Sequence, residues 1–439
     1  MSNDWTLVHC PAIGQFHTAL SDAILYNQDL DKPCATLLPA IDISKGFNLI
    51  AHNEVITRIS DMGCPGWLTK ILVSYLSGRT LQIRWQDKIS RKLPLNSGSG
   101  QGTILGLLFF VVIFNGAGPK PTIVPLGVSL TQTRKNRKPL KAGKKKWVDD
   151  CTLTAHVRLS EQLIPDPGPA VIGPAQFHCR TGQKLPPDRN EMQSLLDSLS
   201  EYCRRSKLKI NQEKSKVMLF NRARKHDFTP KLSLIPGQEL EVVENLKLVG
   251  YQLRSDMRTI SNTEYIVKRA WQRMWVVRRL KALGAGEQEL LKVLRAQVLS
   301  VLQFATPAWS TLLTGQESNR IESVLRTGLY LVYGERFQSF SWALRKAKMF
   351  SMKEQRRRMF EKFTRDSINS KKFKNWFVRT EENSGQVTRR QKPSFKPIPG
   401  RTQGFLRSAI PQMVKLANSP GFLASRKKLV LNSGQILVI

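Results

Sequence analysis

Cysteine is scarce in this sequence, and the few cysteines are scattered. The chain of 439 residues contains 6 of them, and no two form a CxxC pair or a zinc-knuckle spacing. Structural zinc sites and disulfide-rich secreted domains both depend on clustered cysteines. The scarcity therefore argues against both kinds of site and is typical of a protein kept in a reducing, intracellular compartment.

Long hydrophobic runs are also absent. The longest apolar stretch, ILGLLFFVVIF at 104–114, is too short to span a bilayer and is better explained as a buried element. The first residues, MSNDWTLVHC, lack the basic start and apolar core of a secretory signal. We therefore expect an intracellular protein of the nucleus or cytoplasm, either soluble or part of a ribonucleoprotein particle, with no membrane partner.

Acidic residues are few relative to basic ones. The chain has 33 Asp and Glu against 69 Lys and Arg, which gives a formal net charge of +36. Such an excess predicts a polyanionic partner, most simply nucleic acid. An anionic membrane is the weaker interpretation, because the basic residues are spread over many segments and do not form one amphipathic anchor.

Three of the carboxylates stand where they suggest metal chemistry. Asp42 ends the apolar stretch CATLLPAIDIS, and Asp149 and Asp150 are adjacent in KKKWVDDCTL. If these two segments are neighbouring strands, the three carboxylates converge. Bound divalent cations would then offset the cost of holding like charges close together. Mg²⁺ prefers such oxygen ligands, and two ions can clamp the oxygens of a phosphoryl displacement. Alone, an Asp-Asp pair is more often a solvated turn.

Hydrophobic periodicity predicts the elements around these segments. We expect a helix within 1–35, two helices separated by a Gly/Pro break over 53–79, and a hairpin that follows them. A helix over 262–283 would have Asn262 and Thr263 as candidate caps and Gly284 as its stop. From about 337 the chain is basic and its order is expected to fade.

Five motifs in a fixed order resemble the palm of reverse transcriptases, specifically those of non-LTR, LINE-type (jockey-like) retrotransposons. In chain order they are AIDISKGF, NSGSGQGTILGLLFF, WVDD, LKINQEKSKVMLF and LKLVGYQL. Each motif is weak alone, but the order is specific and the resemblance extends over nearly the whole chain. It implies an α+β fold in which a right-hand polymerase palm with partial fingers precedes an α-helical thumb and a basic C-terminal tail.

The resemblance also implies domain boundaries. Residues 1–41 would be a remnant of the fingers, 42–255 the palm, 256–336 the helical thumb and 337–439 the basic C-terminal region. Within the palm, irregular insertions would occupy 115–146, which is rich in Pro, Gly and Lys, and 160–190, which is rich in Pro.

The implied activity is RNA-directed DNA polymerisation. Asp42, Asp149 and Asp150 would be catalytic and would hold two Mg²⁺ ions, so that a primer 3′-hydroxyl attacks the α-phosphate of a dNTP. The partners would be an RNA template and a DNA primer.

Other residues of the motifs would bind the substrates. Phe47 would be the steric gate that rejects a ribose 2′-hydroxyl, although without the motif it could equally be a core residue. Gln101 and Gly102 would contact the incoming nucleotide and its template base. Lys214 is a weaker candidate for meeting the phosphates, because a solvated lysine is the more frequent occurrence.

Two further features would hold the nucleic acid. Gly250 and Tyr251 would form the primer-grip turn, although Gly250 could simply ease a tight turn. Basic residues of the helix over 262–283 would follow the template–primer backbone: Lys268, Arg269, Arg273, Arg278 and Arg279. The net charge of the chain favours phosphate contact over a plain solvated face.

Several features depart from the family pattern. The chain starts shortly before Asp42, so we expect truncated fingers, and we expect no endonuclease domain. Gly46, Gly100 and Trp147 replace the usual Ala, Pro and Tyr or Phe of the motifs, and the two glycines loosen their loops. We therefore expect a truncated, degenerate open reading frame whose present activity is impaired. A non-catalytic nucleic-acid-binding remnant is the alternative, and a frame that yields little stable protein is a third possibility.

Overall fold

A computed structural model of the chain describes residues 11–29, 34–44, 46–98, 104–115, 143–147, 150–158, 188–220, 231–235, 237–370, 373, 376–380 and 394–422. The chain forms two compact units. Of the described residues, those within 35–123 and 141–244 form the sheet unit, and those within 1–34 and 245–439 form the helical unit. The predicted boundaries of fingers, palm, thumb and tail stay predictions.

The fold mixes helices with small sheets. The strands are β1 Cys34–Ser44, β2 Thr80–Leu81, β3 Arg84–Trp85, β4 Lys88–Ile89, β5 Leu93–Pro94, β6 Gly143–Trp147, β7 Asp150–Arg158, β8 Lys209–Phe220, β9 Ser233–Ile235, β10 Gln238–Glu239, β11 Glu241–Val242, β12 Asn245–Leu248 and β13 Tyr251–Arg254.

The helices cover most of the remainder. They are α1 Pro11–Gln28, α2 Gly46–Leu49, α3 His52–Asp61, α4 Gly66–Leu76, α5 Ile104–Asn115, α6 Asp188–Arg205, α7 Ile260–Ala282, α8 Glu287–Val293, α9 Ser300–Leu302, α10 Thr306–Trp309, α11 Gly315–Tyr333, α12 Phe340–Lys346, α13 Met352–Asn369, α14 Gln403–Leu406 and α15 Ala409–Ala417. A π-helical segment, Leu294–Leu299, joins α8 to α9, and a short 3₁₀ turn, Gly334–Arg336, follows α11.

The sheet unit is built on a five-stranded sheet in the order β11-β8-β1-β7-β6. β8 runs antiparallel to β1, β6 antiparallel to β7, and β11 parallel to β8. Side chains alternate between the two faces of a strand. Ile41 and Ile43 of β1 belong to the core that also contains residues of α3, α4, α5 and α6, so these helices cover that face of the sheet.

The two helices expected around the Gly/Pro break are α3 and α4, and the hairpin after them is present as the pairs β2–β5 and β3–β4. Apolar side chains of this region remain exposed, including Trp85 at 74%. The apolar run at 104–114 is a helix, α5, and no helix among the described residues has both the length and the apolar character needed to cross a membrane.

The helical unit is organised around α7, which packs against α11 and the π-helical segment. The expectation that Asn262 and Thr263 cap α7 is wrong. The helix begins after Thr259, and Asn262 and Thr263 are buried inside it. Thr263 Oγ1 donates to Glu317 Oε1 at 3.3 Å, so tertiary contact outweighs the capping tendency. Gly284 does follow the helix, with a φ of +84°.

The expectation that order fades from about 337 is also wrong. Four helices, α12 to α15, lie beyond that point, and α13 and α15 pack against each other. In α13 the hydrophobic side chains are spaced among many charged residues, so its composition does not reveal a buried face. Helix α1 belongs to the same unit and contacts α10, α14 and α15.

Candidate functional site

Asp42 lies in β1 on a face that the core leaves half-exposed. Its neighbours Ile41 and Ile43 are 2% and 3% exposed and point into the helix-covered core, whereas Asp42 occupies the alternate position. β1 is hydrogen-bonded to β7, whose first residue is Asp150. The two acidic segments of the sequence are therefore on neighbouring strands of one sheet, which is the condition for their carboxylates to converge.

The β6–β7 hairpin closes at the acidic pair. Trp147 pairs with Asp150, and only Val148 and Asp149 stand between them in the sequence. Asp149 itself lies outside the described residues, as do Gln101 and Gly102. Their predicted roles stay predictions.

Two other predicted residues are placed by their backbone. Asp150 begins β7, and Phe47 lies in α2, directly after β1 on the carboxyl side of Asp42. The gate role of Phe47 is a prediction that this placement leaves open.

An irregularity in β8 fixes the backbone of Asp42. Asp42 pairs with Asn211, whereas Ala40 pairs with Lys216, so residues 212–215 bulge from the strand opposite Ile41. The Asp42 N–H donates to Ser215 Oγ at 3.1 Å, and that hydroxyl donates to the carbonyl of Asn211 at 2.7 Å. The predicted residue Lys214 lies in this bulge, exposed, on the strand beside Asp42.

Ser215 is therefore a positioning residue for Asp42, which the sequence did not single out. Ser215→Ala removes the acceptor of the Asp42 N–H, and one hydrogen bond contributes about 0.5–1.5 kcal/mol. For the polymerase activity that the motif resemblance implies, we expect kcat for nucleotide incorporation to fall between about twofold and tenfold with little change in KM. Steady-state primer extension measures both constants, with exposed Ser60→Ala in α3 as control. Ser215→Thr, which keeps the hydroxyl, is expected to restore kcat, and a failure to do so would contradict the positioning role.

The donor set at this site fits a hard divalent cation as far as the structure describes it. Asp42 is a half-exposed carboxylate, and no Lys or Arg in the described part of the chain forms an ion pair with it. Within the described ranges, no three His, Cys, Asp or Glu side chains gather as a metal site. Because Asp149 is outside those ranges, the predicted pair of Mg²⁺ ions stays a prediction.

The predicted primer-grip pair occupies a tight hairpin turn in the helical unit. Val249 and Gly250 connect β12 to β13 with φ of +45° and +80°, which is typical of a type I′ turn. A Cβ on Gly250 would lie 3.1 Å from the ring of Phe304. Tyr251 is only 4% exposed, and its ring centroid is 4.9 Å from that of His17. Burial raises the pKa of the Tyr251 hydroxyl. The ring of Tyr251 is therefore packed inside the helical unit, and the primer-grip role of the turn stays a prediction.

Helix α7 presents the basic residues predicted to meet nucleic acid. Lys268, Arg278 and Arg279 are exposed. Arg269 and Arg273 are half-buried and already engaged, because Arg269 donates to Tyr265 at 2.9 Å and Arg273 to the carbonyl of Gln297 at 3.1 Å. The free cationic surface of α7 is thus narrower than the sequence alone indicates.

Two tryptophans lie on the same face of α7. Trp271 and Trp275 follow Lys268 at helical spacing, and Trp275 is 64% exposed. Exposed aromatic rings beside Lys and Arg suit the stacking of nucleic-acid bases. The charge pattern of α7 did not indicate these rings, although their spacing of three and seven residues from Lys268 in the sequence places them on its face.

Comparisons with known proteins give faint likenesses. No protein-family model matches the chain, and no curated protein matches it. Two solved structures are similar: telomerase from Candida tropicalis (TM-score 0.35, 10% identity, 95% of this chain and 51% of that one) and telomerase from Candida albicans (TM-score 0.31, 10% identity, 81% and 46%), both in complex with a fragment of telomeric RNA. The chain thus spans about half the length of these proteins. At such scores the likeness assigns neither a fold family nor a function to this chain.

Proposed function

We propose that the chain is the RNA-directed DNA polymerase domain of a non-LTR retrotransposon, with an activity reduced by its departures from the motifs. The observation that carries the proposal is the pairing of β1 with β7, which puts Asp42 and Asp150 on neighbouring strands. Mg²⁺ bound by Asp42, Asp149 and Asp150 would activate the primer 3′-hydroxyl and stabilise the charge on the phosphate that it attacks.

Residues of the chain would orient the substrates around this centre. Ser215 fixes the backbone of Asp42, and the exposed Lys214 lies on the adjacent strand, where it can meet phosphate oxygens. Phe47, in the helix that follows β1, would be the sugar gate; its position a few residues after Asp42 in the chain supports this role. An RNA template, a DNA primer and dNTPs would be the partners.

A second function, nucleic-acid binding without catalysis, is favoured by a separate observation. The exposed face of α7 combines Lys268, Arg278 and Arg279 with the ring of Trp275, and none of these depends on the carboxylates of the sheet unit. Contacts of such side chains with the phosphate backbone of nucleic acid do not depend on base sequence, and they weaken as the salt concentration rises.

Primer extension separates the two functions. Purified protein is incubated with an RNA template, a DNA primer and dNTPs, in Mg²⁺ and in EDTA. Template-directed extension in Mg²⁺ that stops in EDTA is the expected result for a polymerase. Salt-sensitive binding of the same template–primer without any Mg²⁺-dependent extension would reject the polymerase and leave the binding function. A protein that binds no nucleic acid at low salt would reject both.

A further inference from the structure

A cavity of about 770 Å³ lies in the helical unit, and none of its lining residues is among those assigned to the polymerase. Its walls come from α11, α13, α15 and the segment after α10. Its lining includes the basic side chains of Lys353, Arg356 and Lys415, the ion pair of Arg357 with Glu361, the hydroxyls of Thr311 and Ser318, and the ring of Phe360.

The central feature of the cavity is a buried guanidinium. Arg356 is 5% exposed, and its Nη2 donates to Ser318 Oγ at 2.6 Å. Its Nη1 is buried and has no hydrogen-bond partner among the described residues, and no carboxylate there forms an ion pair with it. Burial lowers the pKa of Arg356, against the attraction of Glu322. A buried cation without an anion is costly.

Glu322 is the acid whose charge attracts Arg356, and its carboxylate accepts hydrogen bonds from other groups. The carboxylate of Glu322 accepts from the backbone N–H groups of Met352 at 3.0 Å and Lys353 at 3.1 Å, and so caps the start of α13. Glu322 attracts Arg356 only at a distance, so the buried Nη1 of Arg356 is left as a donor for a ligand that enters the cavity.

Other lining groups repeat the preference for an anion. The hydroxyl of Thr311 is buried without a hydrogen-bond partner within the described residues. Lys353 and Lys415 are exposed, and neither takes part in an ion pair among those residues. Arg357 differs, since Glu354 and Glu361 both pair with it. The lining thus contains one buried and two exposed cations that form no ion pair among the described residues, and one carboxylate, Glu361, that is paired with Arg357.

Size and apolar walls narrow the chemistry of the anion. A volume of about 770 Å³ exceeds what a bare inorganic ion fills and lies within the usual range of small-ligand sites. Phe360 and Leu416 supply apolar surface for a ring. We propose that this cavity binds a nucleoside phosphate, with the phosphate on Arg356 and Thr311 and the sugar or base against Phe360. The phosphate can belong to a free nucleotide or to a nucleic-acid strand.

The proposal is independent of the polymerase function. The cavity is in the helical unit, whereas Asp42 and β7 are in the sheet unit. Loss of catalysis in an Asp42→Asn protein therefore leaves the cavity intact, and that protein serves as a second host for every binding measurement.

Binding is measured by calorimetry with three probes on the full chain: a nucleoside 5′-monophosphate, a short single-stranded RNA with a 5′-phosphate, and the same RNA with a 5′-hydroxyl. Arg356→Met is expected to weaken binding of the preferred probe between about tenfold and a hundredfold, since hydrogen bonds to charged groups are the stronger class. Lys415→Gln, at the exposed rim, is expected to weaken it by about twofold to fivefold. Preference among the probes tells a free nucleotide from a strand end or an internal phosphodiester.

A matched control and a stability readout test whether the site is specific. Arg345→Met removes an exposed arginine of the same unit outside the cavity, and it is expected to leave nucleotide affinity unchanged. The preferred probe should raise the Tm of the wild-type protein and not that of Arg356→Met. Equal affinity of wild type and Arg356→Met for all three probes would overturn the proposal, as would equal losses in Arg345→Met and Arg356→Met. If Arg356→Met fails to fold, an unchanged affinity in Lys415→Gln would overturn it.

Discussion

Replacing Asp42 with asparagine is expected to lower template-directed dNTP incorporation by at least about a thousandfold. The physical reason is that Asp42 is proposed to hold Mg²⁺, and a bound divalent ion contributes several kcal/mol of charge stabilisation in the transition state; about 4 kcal/mol corresponds to a thousandfold in rate. Asparagine keeps the size and the backbone hydrogen bond to Ser215, so β1 should remain in register. Rates of single-nucleotide addition in excess Mg²⁺ measure the effect.

The affinity of Asp42→Asn for nucleic acid should not fall along with its rate. Asp42→Asn removes one negative charge from a place where nucleic-acid phosphates are expected, so affinity for the template–primer should be unchanged or tighter. Asp149→Ala should behave in the same way. Asp87→Asn, in the exposed turn between β3 and β4, is the matched control and should keep the wild-type rate. Wild-type incorporation by Asp42→Asn would contradict the assignment of Asp42 as a metal ligand.

Strands and helices with strong apolar patterns could be predicted from the sequence. β1, the α3–α4 pair and α7 each bury one continuous face, and a local pattern of that kind is visible in ten to twenty residues. The sequence alone could not predict that β1 and β7 are neighbouring strands, because strand order depends on contacts between distant segments. The expectation that Asp42 lies near Asp149 and Asp150 came from the resemblance to reverse transcriptases, because local periodicity cannot predict it.

The bulge in β8 could not be predicted, because polar residues within a strand carry no mark of where the register slips. Gln212 and Lys214 look like any solvated strand positions, yet they belong to the segment that brings Ser215 onto the Asp42 N–H. A hydrogen bond across 173 residues of chain has no local signature.

Helix α13 shows the other limit. Its sequence, MKEQRRRMFEKFTRDSIN, appears solvated by composition, yet Met352, Arg356, Phe360 and Phe363 follow one another at spacings of four, four and three and form its buried face. The periodic signal was present, and a buried arginine among the apolar positions concealed it. The same arginine is what makes the adjoining cavity a candidate anion site.

Asp22 links α1 to the start of α15. Its Oδ1 accepts from Ser408 Oγ at 2.5 Å and from the Ile410 N–H at 3.0 Å, and so caps α15. Asp22 is 1% exposed, and its Oδ2 is buried with no hydrogen-bond partner in the described part of the chain. Burial raises the pKa of Asp22 from 3.8 to about 7, and the hydrogen bonds from Ser408, Ile410 and Ala409 oppose the rise.

A raised pKa fixes the sign of the effect of pH on stability. The folded chain binds the proton of Asp22 more tightly than the unfolded chain, so protonation stabilises the fold. This stabilisation is complete below the unfolded pKa of 3.8 and is lost as the pH rises to about 7. At 1.36 kcal/mol for each unit, the loss amounts to at most about 4 kcal/mol. Desolvation of the carboxylate is the cause, since no charged group contributes to the shift.

Asp22→Asn should abolish this dependence, because the amide stays neutral and keeps an oxygen for Ser408 and Ile410. We expect the free energy of unfolding of the wild type, relative to Asp22→Asn, to fall by about 2–4 kcal/mol between about pH 4 and pH 8. Urea unfolding across that range measures the difference and cancels the other carboxylates, which titrate equally in both proteins. Asp366→Asn, exposed on α13, should track the wild type at every pH. If the difference in the free energy of unfolding between wild type and Asp22→Asn stayed constant over the whole range, Asp22 would be ionised in the fold. The N-terminus of α15 would then stabilise a charged carboxylate at the contact between α1 and α15.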